Sequence, residues 1–377
     1  MFVKIINCHP DKYSTSLDRQ KAIHCFLEAH GERNHIIHCK KTICEELISS
    51  QLYGDLHKKY ASDLLDMKSE IGTLKSAFKV SLTVDFSLED EQIESTENGK
   101  SLAIRSSYHY LLKDSFIRKC TFLAEDESDC EFYSLIANTI AHKSYGKGVC
   151  VTFNNLEGGG ARTHRKYVKM LTENHFGICI VDNDKKHPDG AEGNTSRVFK
   201  VTQRQRGYAL NQECVVLDFH EAESIIPHEI LEHIVDPSKI DALDAISRHD
   251  ESSDYQFRRF FDHKNGFTLE QGYKLDTRYR KSFWKQFFSQ DRMYQGKPCR
   301  FNSLCVNGAG EIECQTCIKI DGLSDKVLVD SVERMSEVHL RQVYSRLTPH
   351  IQSQWDEIGH KLINWGCALS LAPIKSF

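Results

Sequence analysis

The chain has 377 residues with a formal net charge of −4; 40% are apolar and 27% charged. This length carries two or three domains with sizeable cores, and the near balance of charge excludes a global basic field of the kind that advertises nucleic acid. No apolar run approaches the ~18–20 residues that cross a bilayer, which excludes a membrane-spanning helix and argues against a membrane partner.

The opening "MFVKIINCHP" is too short and too polar for a signal peptide and reads as a first strand. A cytoplasmic location is the expectation, and there fourteen cysteines stay reduced. Residues 1–115 are predicted to form an N-terminal α/β unit of unnamed role. Its strands are "FVKIINC" and "FKVSLTVDF". A helix starts near Ser16 and stops at Gly31, a second helical stretch breaks at Gly54, and "SLEDEQIESTENGKS" reads as a loop or linker.

Residues 116–240 change rhythm. The strands "CTFLA", "KGVCVTF", "GICIVD" and "ECVVLDF" alternate with helices "SDCEFYSLIANTIAH" and "THRKYVKMLTENH". Near-continuous apolar strands alternating with helices predict a parallel sheet covered on both faces. Residues 241–377 hold the aromatic and basic stretch "YKLDTRYRKSFWKQFF", a cysteine cluster and a helical tail from about Asp325 to Ile363. "RYRKSFWKQFF" mixes cations with aromatics as single-strand binders do, but it reads better as an amphipathic packed helix.

The chemistry concentrates at predicted strand ends. "CTFLA" runs into Glu125, Asp126, Glu127, Asp129 and Glu131. Like charges at short range repel, and either solvent or a divalent cation must offset them. Asp182 and Asp184 close the third strand as "VDND", and Glu221 and Glu223 follow the fourth. Residues i and i+2 of extended chain face one way, so each pair is expected to point at one spot. Acids are often merely solvated. Three acid pairs at successive strand ends instead predict Mg²⁺ or Mn²⁺ held by Glu125, Asp129, Asp182, Asp184, Glu221 and Glu223 for phosphoryl chemistry.

The glycine run Gly158, Gly159 and Gly160 with Arg162 lies between a strand and a helix. It suits a phosphate cradle, with a plain tight turn as the alternative. Lys185 and Lys186 open a polar loop of about 28 residues that also carries Arg197, Lys200, Arg204 and Arg206, and loops of that length are functional or disordered. Such a basic loop beside an acidic metal site suits a DNA or RNA backbone, with a merely solvated loop as the alternative.

These residues resemble the Toprim domain. The closest likeness is to the overcoming-lysogenization-defect (OLD) family nucleases and the stand-alone Toprim effectors of anti-phage defence systems such as PARIS. The likeness rests on Glu125, three residues, Asp129 and the aromatic pair Phe132–Tyr133, on the glycine run, on "VDND" and on "HEAESIIP". It covers roughly residues 117–235; Asp126 stands where the pattern has glycine. The resemblance implies a Toprim-like sheet and a Mg²⁺-dependent endonuclease. It also implies a lysine downstream of the last acids, for which Lys274 and Lys281 are the candidates. No G-x-x-x-x-G-K-[ST] is present, so the ATPase that such effectors use would be a separate subunit.

Cys299, Cys305, Cys314 and Cys317 are spaced C-x5-C-x8-C-x2-C. This predicts a structural Zn²⁺ site in a zinc-ribbon-like fold, with four unlinked cysteines as the alternative. "HEILEH" sets its histidines off the face that a zincin helix needs, and there is no G-x-S-x-G. Two other functions stand beside the nuclease: a non-cleaving nucleic-acid-binding or assembly subunit, and a phosphoryl-transfer enzyme acting on a small nucleotide.

Overall fold

The computed structural model describes residues 1–98, 101–113, 118–206, 211–290, 317 and 319–370. The chain folds into two compact units. The first comprises Met1–Ile180, Thr202–Val215 and Trp355–Phe377; the second comprises Val181–Val201 and Val216–Gln354. Neither is one continuous stretch, so the sequence boundaries at 115/116 and 240/241 fall inside units rather than between them.

The first unit opens with a five-stranded sheet. Its strands are β1 (Phe2–Ile6), β2 (Ile36–His38), β3 (Val80–Asp85), β4 (Ile93–Asn98) and β5 (Ser101–Ser107), in the order β2-β1-β3-β5-β4. All neighbours are parallel except β4, which runs antiparallel along β5. Helix Leu17–Gly31 buries Ile23, Phe26 and Leu27. The next helices are Lys41–Ser49 and Asp55–Asp66, with Gly54 as the N-cap of the second, which is where the sequence predicts a break.

The second sheet of this unit is built from β6 (Thr121–Ala124), β8 (Asn154–Glu157), β9 (Gly177–Val181) and β10 (Gln212–Val216), in the order β10-β9-β6-β8. β6 is parallel to both β8 and β9. The apolar stretch "KGVCVTF" does not supply the expected sheet strand. Its strand β7 (Val149–Val151) leaves the sheet, and the polar "NNLE" of β8 takes the place beside β6. Every residue of β6 and β9 is buried, as expected for strands covered on both faces.

In the second unit, β11 (Gly266–Thr268) pairs antiparallel with β12 (Lys319–Asp321). Its core is aromatic: Phe257, Phe261, Phe267, Trp284, Phe287 and Phe288 are buried, and Phe267 stacks on Trp284 with ring centroids 4.0 Å apart. The cationic and aromatic stretch is therefore a packed helix, Phe283–Gln290. Back in the first unit, β13 (Cys367–Leu369) closes the chain order by pairing antiparallel with β7. Among the described residues no helix is long and apolar enough to cross a membrane.

Candidate metal centre

The second unit gathers charged groups from three chain segments. The first follows β9. Asp182 is half-buried, and Asn183 is buried, its Oδ1 accepting from Lys185 N at 2.8 Å. Asp184 adopts a left-handed backbone with φ of 55°, so the chain turns there and extended-strand alternation does not extend to it. Its N–H donates to His220 O at 3.1 Å, and Gly193 N donates to Asn183 O at 2.8 Å. A Cβ on Gly193 would lie 1.9 Å from Asp184 Oδ2, so only glycine leaves room for this carboxylate.

The second segment is His220 to Ile225. Glu221 is extended, and a 3₁₀ turn over Ala222–Ile225 follows, so Glu221 and Glu223 do not share a strand face. They converge all the same through the third segment, Asp262-His263-Lys264. Glu221 Oε1 accepts from His263 N at 2.6 Å and lies 3.3 Å from His263 Nδ1. The Lys264 ammonium lies 3.0 Å from Glu223 Oε1 and 4.0 Å from Glu221 Oε2. Asp262 accepts from Lys186 Nζ at 2.7 Å and from Asn265 N at 2.9 Å. The aromatic core fixes this end of the loop, because the Trp284 indole N–H donates to Lys186 O at 2.8 Å.

Burial and charge work against each other here. Burial, and then the charge of Glu221, push the Glu223 carboxyl up to about 7. Burial also raises Glu221. Burial opposes the charge of Lys264, but Glu223 and Glu221 prevail and hold its pKa above the usual lysine range. Burial likewise opposes the charge of Asp262, yet Lys186 and Asn265 keep its carboxyl below the ordinary value. His220 is held low chiefly by burial, which keeps its imidazole in the neutral, ligating form. Buried Arg258 donates to Glu223 O and Ile226 O, and its own counter-charge is Asp250.

His220, Glu221 and Asp262, all buried, each offer a ligand atom within 4.8 Å of the others. It is the one such triad among the described residues. Glu223 Oε2 and His220 Nδ1 are buried with no hydrogen-bond partner among the described residues. Five carboxylates (Asp182, Asp184, Glu221, Glu223 and Asp262) stand against two lysines, Lys186 and Lys264, and when all are ionised negative charge remains in excess. Such donors fit a divalent cation. An imidazole among carboxylates favours Mn²⁺ or another first-row metal over Mg²⁺.

Glu125 and Asp129 belong to the first unit. Asp129 there forms a capping box with Asp126, accepting from its N–H at 2.9 Å, at the start of helix Glu127–Tyr145. Acids at a helix N-terminus meet the exposed N–H groups and the favourable end of the helix dipole, so much of the crowding after β6 is offset without a cation. The glycine run behaves as a turn. Gly158 N and Gly159 N donate to Ala124 O and Glu125 O at 2.8 and 2.9 Å, so neither is available to a phosphate. Gly158 is tight against Ala124 O and Thr163, and Arg162 is exposed.

The expected basic loop is partly a helix, Asn194–Arg206; of its cations, Lys200 pairs with Glu192, and Lys185 lies 4.0 Å from the same carboxylate. Lys274 pairs with Glu270, and Lys281 with Asp189 at 2.7 Å; the lysine that reaches Glu221 and Glu223 is Lys264. Of the four clustered cysteines, Cys299, Cys305 and Cys314 lie outside the described residues, and Cys317 is half-buried. Sequence reasoning missed His220, Asp262, His263 and Lys264. The signal was "FFDHKNG", an acid, an imidazole and an amine directly after a buried aromatic pair.

Compared with known proteins, the chain matches no family model, no curated protein and no solved structure.

Proposed function

We propose that the second unit binds a divalent metal, Mn²⁺ ahead of Mg²⁺, and that the chain is a metal-dependent nuclease with a Toprim-like catalytic region. The observation that carries this reading is the buried triad His220, Glu221 and Asp262, set among carboxylates that outnumber their lysines. A bound divalent ion would supply an acidified water and neutralise charge developing on phosphate oxygens. His220, Glu221 and Asp262 would hold it. Lys264, kept cationic by its two glutamates and over a third exposed along its side chain, would draw a phosphate oxygen toward them. From the resemblance come two further parts of the proposal: a restricting role against phage, and control by a separate ATPase subunit.

A second reading is a hydrolase acting on a small nucleotide. It is favoured by the pairing of Lys200 with Glu192 and of Lys281 with Asp189, which leaves fewer cations to follow an extended backbone.

The test is to incubate the full chain with MnCl₂ or MgCl₂ and plasmid, single-stranded DNA, transfer RNA or nucleoside triphosphates, beside Glu221→Gln and Asp262→Asn. Polynucleotide cleavage lost in both variants supports the nuclease, and triphosphate hydrolysis alone supports the second reading. Absence of Mn²⁺ binding by calorimetry, with wild type and variants alike, sinks both.

A further inference from the structure

A cavity within the first unit has no part in the metal chemistry. It measures about 970 Å³, within the range of small-molecule sites. One wall is helix Pro349–Gly366 from Asp356 onward, which presents Asp356, Glu357, His360 and Lys361 over successive turns. Gln212 and Glu213 of β10 form a second wall, joined by Lys79, just before β3, and Glu97 of β4. Tyr145 adds partly exposed aromatic surface, with Tyr167 and Trp365 buried behind the wall.

The polar groups are mostly acceptors. Gln212 is 6% exposed; its amide N–H donates to His175 O at 2.9 Å, while its Oε1 is buried with no hydrogen-bond partner among the described residues. That oxygen is the kind of orphan that a ligand N–H would satisfy. His360 Nδ1 lies 2.6 Å from Asp356 O, and a carbonyl only accepts, so Nδ1 carries a proton. Glu213 Oε2 accepts from Trp365 Nε1 at 3.0 Å.

The charge is unbalanced in the same direction. Four carboxylates (Glu97, Glu213, Asp356 and Glu357) face two lysines, Lys79 and Lys361. Lys361 is already shared between Glu213 at 3.6 Å and Glu357 at 3.7 Å. When all are ionised the carboxylates outnumber the lysines by two, and the partly exposed face of Tyr145 attracts cations as well. An anion would be repelled by the carboxylates, and a neutral apolar ligand would leave the buried Gln212 oxygen without a donor.

We propose that this cavity binds a small organic dication, a diamine or amino-guanidine whose N–H groups meet Gln212 Oε1, Glu357 and the Glu213 side. Charge, acceptor count and volume all select that class.

The experiment is isothermal titration calorimetry on the full chain with putrescine and with agmatine. The controls are 1,4-butanediol as the neutral isostere and succinate as the dianion. Expected is one-to-one binding of at least one dication, weakened about tenfold or more by Glu357→Gln, whose side chain is 60% exposed so that the fold tolerates it. Gln212→Leu is expected to weaken it further, with circular dichroism verifying its fold. Glu221→Gln, in the other unit's acid cluster, is expected to leave it unchanged. The proposal is overturned if neither dication binds more tightly than about 1 mM. It is equally overturned if succinate or butanediol binds as well, if Glu357→Gln binds like wild type, or if Glu221→Gln removes the heat.

Discussion

At the scale of the residue, Asp184 and Gly193 act as one unit of structure. The left-handed backbone of Asp184 throws its carboxylate against the bare Cα of Gly193, 1.9 Å from where a Cβ would stand. Gly193→Ala is expected to destabilise the second unit by about 1–3 kcal/mol through overpacking, measured by urea denaturation, and to weaken Mn²⁺ binding as the carboxylate is displaced. Unchanged values in both would show that Asp184 is free to move aside. Asp250 gives a pH signature instead. Burial lifts its carboxyl to about 6 from the ordinary 3.8, although Arg258 pulls the other way. A folded pKa above the unfolded one means that the folded chain binds the extra proton, so this group's contribution falls as pH rises from about 4 to about 6. The shift corresponds to about 3 kcal/mol. The stability of wild type minus that of Asp250→Asn is expected to be larger by about that amount at pH 4 than at pH 7. A flat difference would refute the assignment.

At the scale of the element, helix Glu127–Tyr145 depends on acids that also look like metal ligands. Asp129→Ala removes half of the capping box and is expected to cost about 1 kcal/mol in thermal denaturation. A much larger loss would mean that Asp129 does more than cap. This is where the sequence was hardest to read, because a carboxylate that closes a helix and one that awaits a cation look the same in one dimension. Strands β1, β3, β9 and β10 were legible from their β-branched apolar residues, and β6 from its unbroken apolar run Phe122–Ala124. β8 was not, because "NNLE" has one apolar residue and owes its place to its neighbour β6. Helix Asn194–Arg206 was hidden by its polarity; Phe199 is buried, while Val198 and Val201 are exposed. The helical tail was recognised, but it is three helices, Val327–Glu337, Leu340–Arg346 and Pro349–Gly366, the last beginning at a proline. Glu221 and Glu223 were recognised as a pair for a reason that does not hold. Their meeting point is Lys264, about forty residues on, and no local period reveals a contact of that range.

At the scale of the whole molecule, two units imply that unfolding need not be a single transition. Mn²⁺ at about a hundred times its dissociation constant is expected to stabilise the second unit by about 2.7 kcal/mol, seen in calorimetry as an upward shift of one transition and absent in Glu221→Gln. A shift that persists in the variant would place the ion elsewhere. The interleaving of the units also has a consequence in time. Residues from Trp355 to Leu369 complete a body begun at Met1, with the whole of Val216–Gln354 made in between. On the ribosome, at about 5–20 residues per second, the stretch from residue 180 to residue 369 takes about 10–40 s to emerge. For that interval β7 has no β13 to pair with and the nascent first unit stands open, so the later-encoded body has the opportunity to finish first and the earlier one needs shelter from aggregation while it waits.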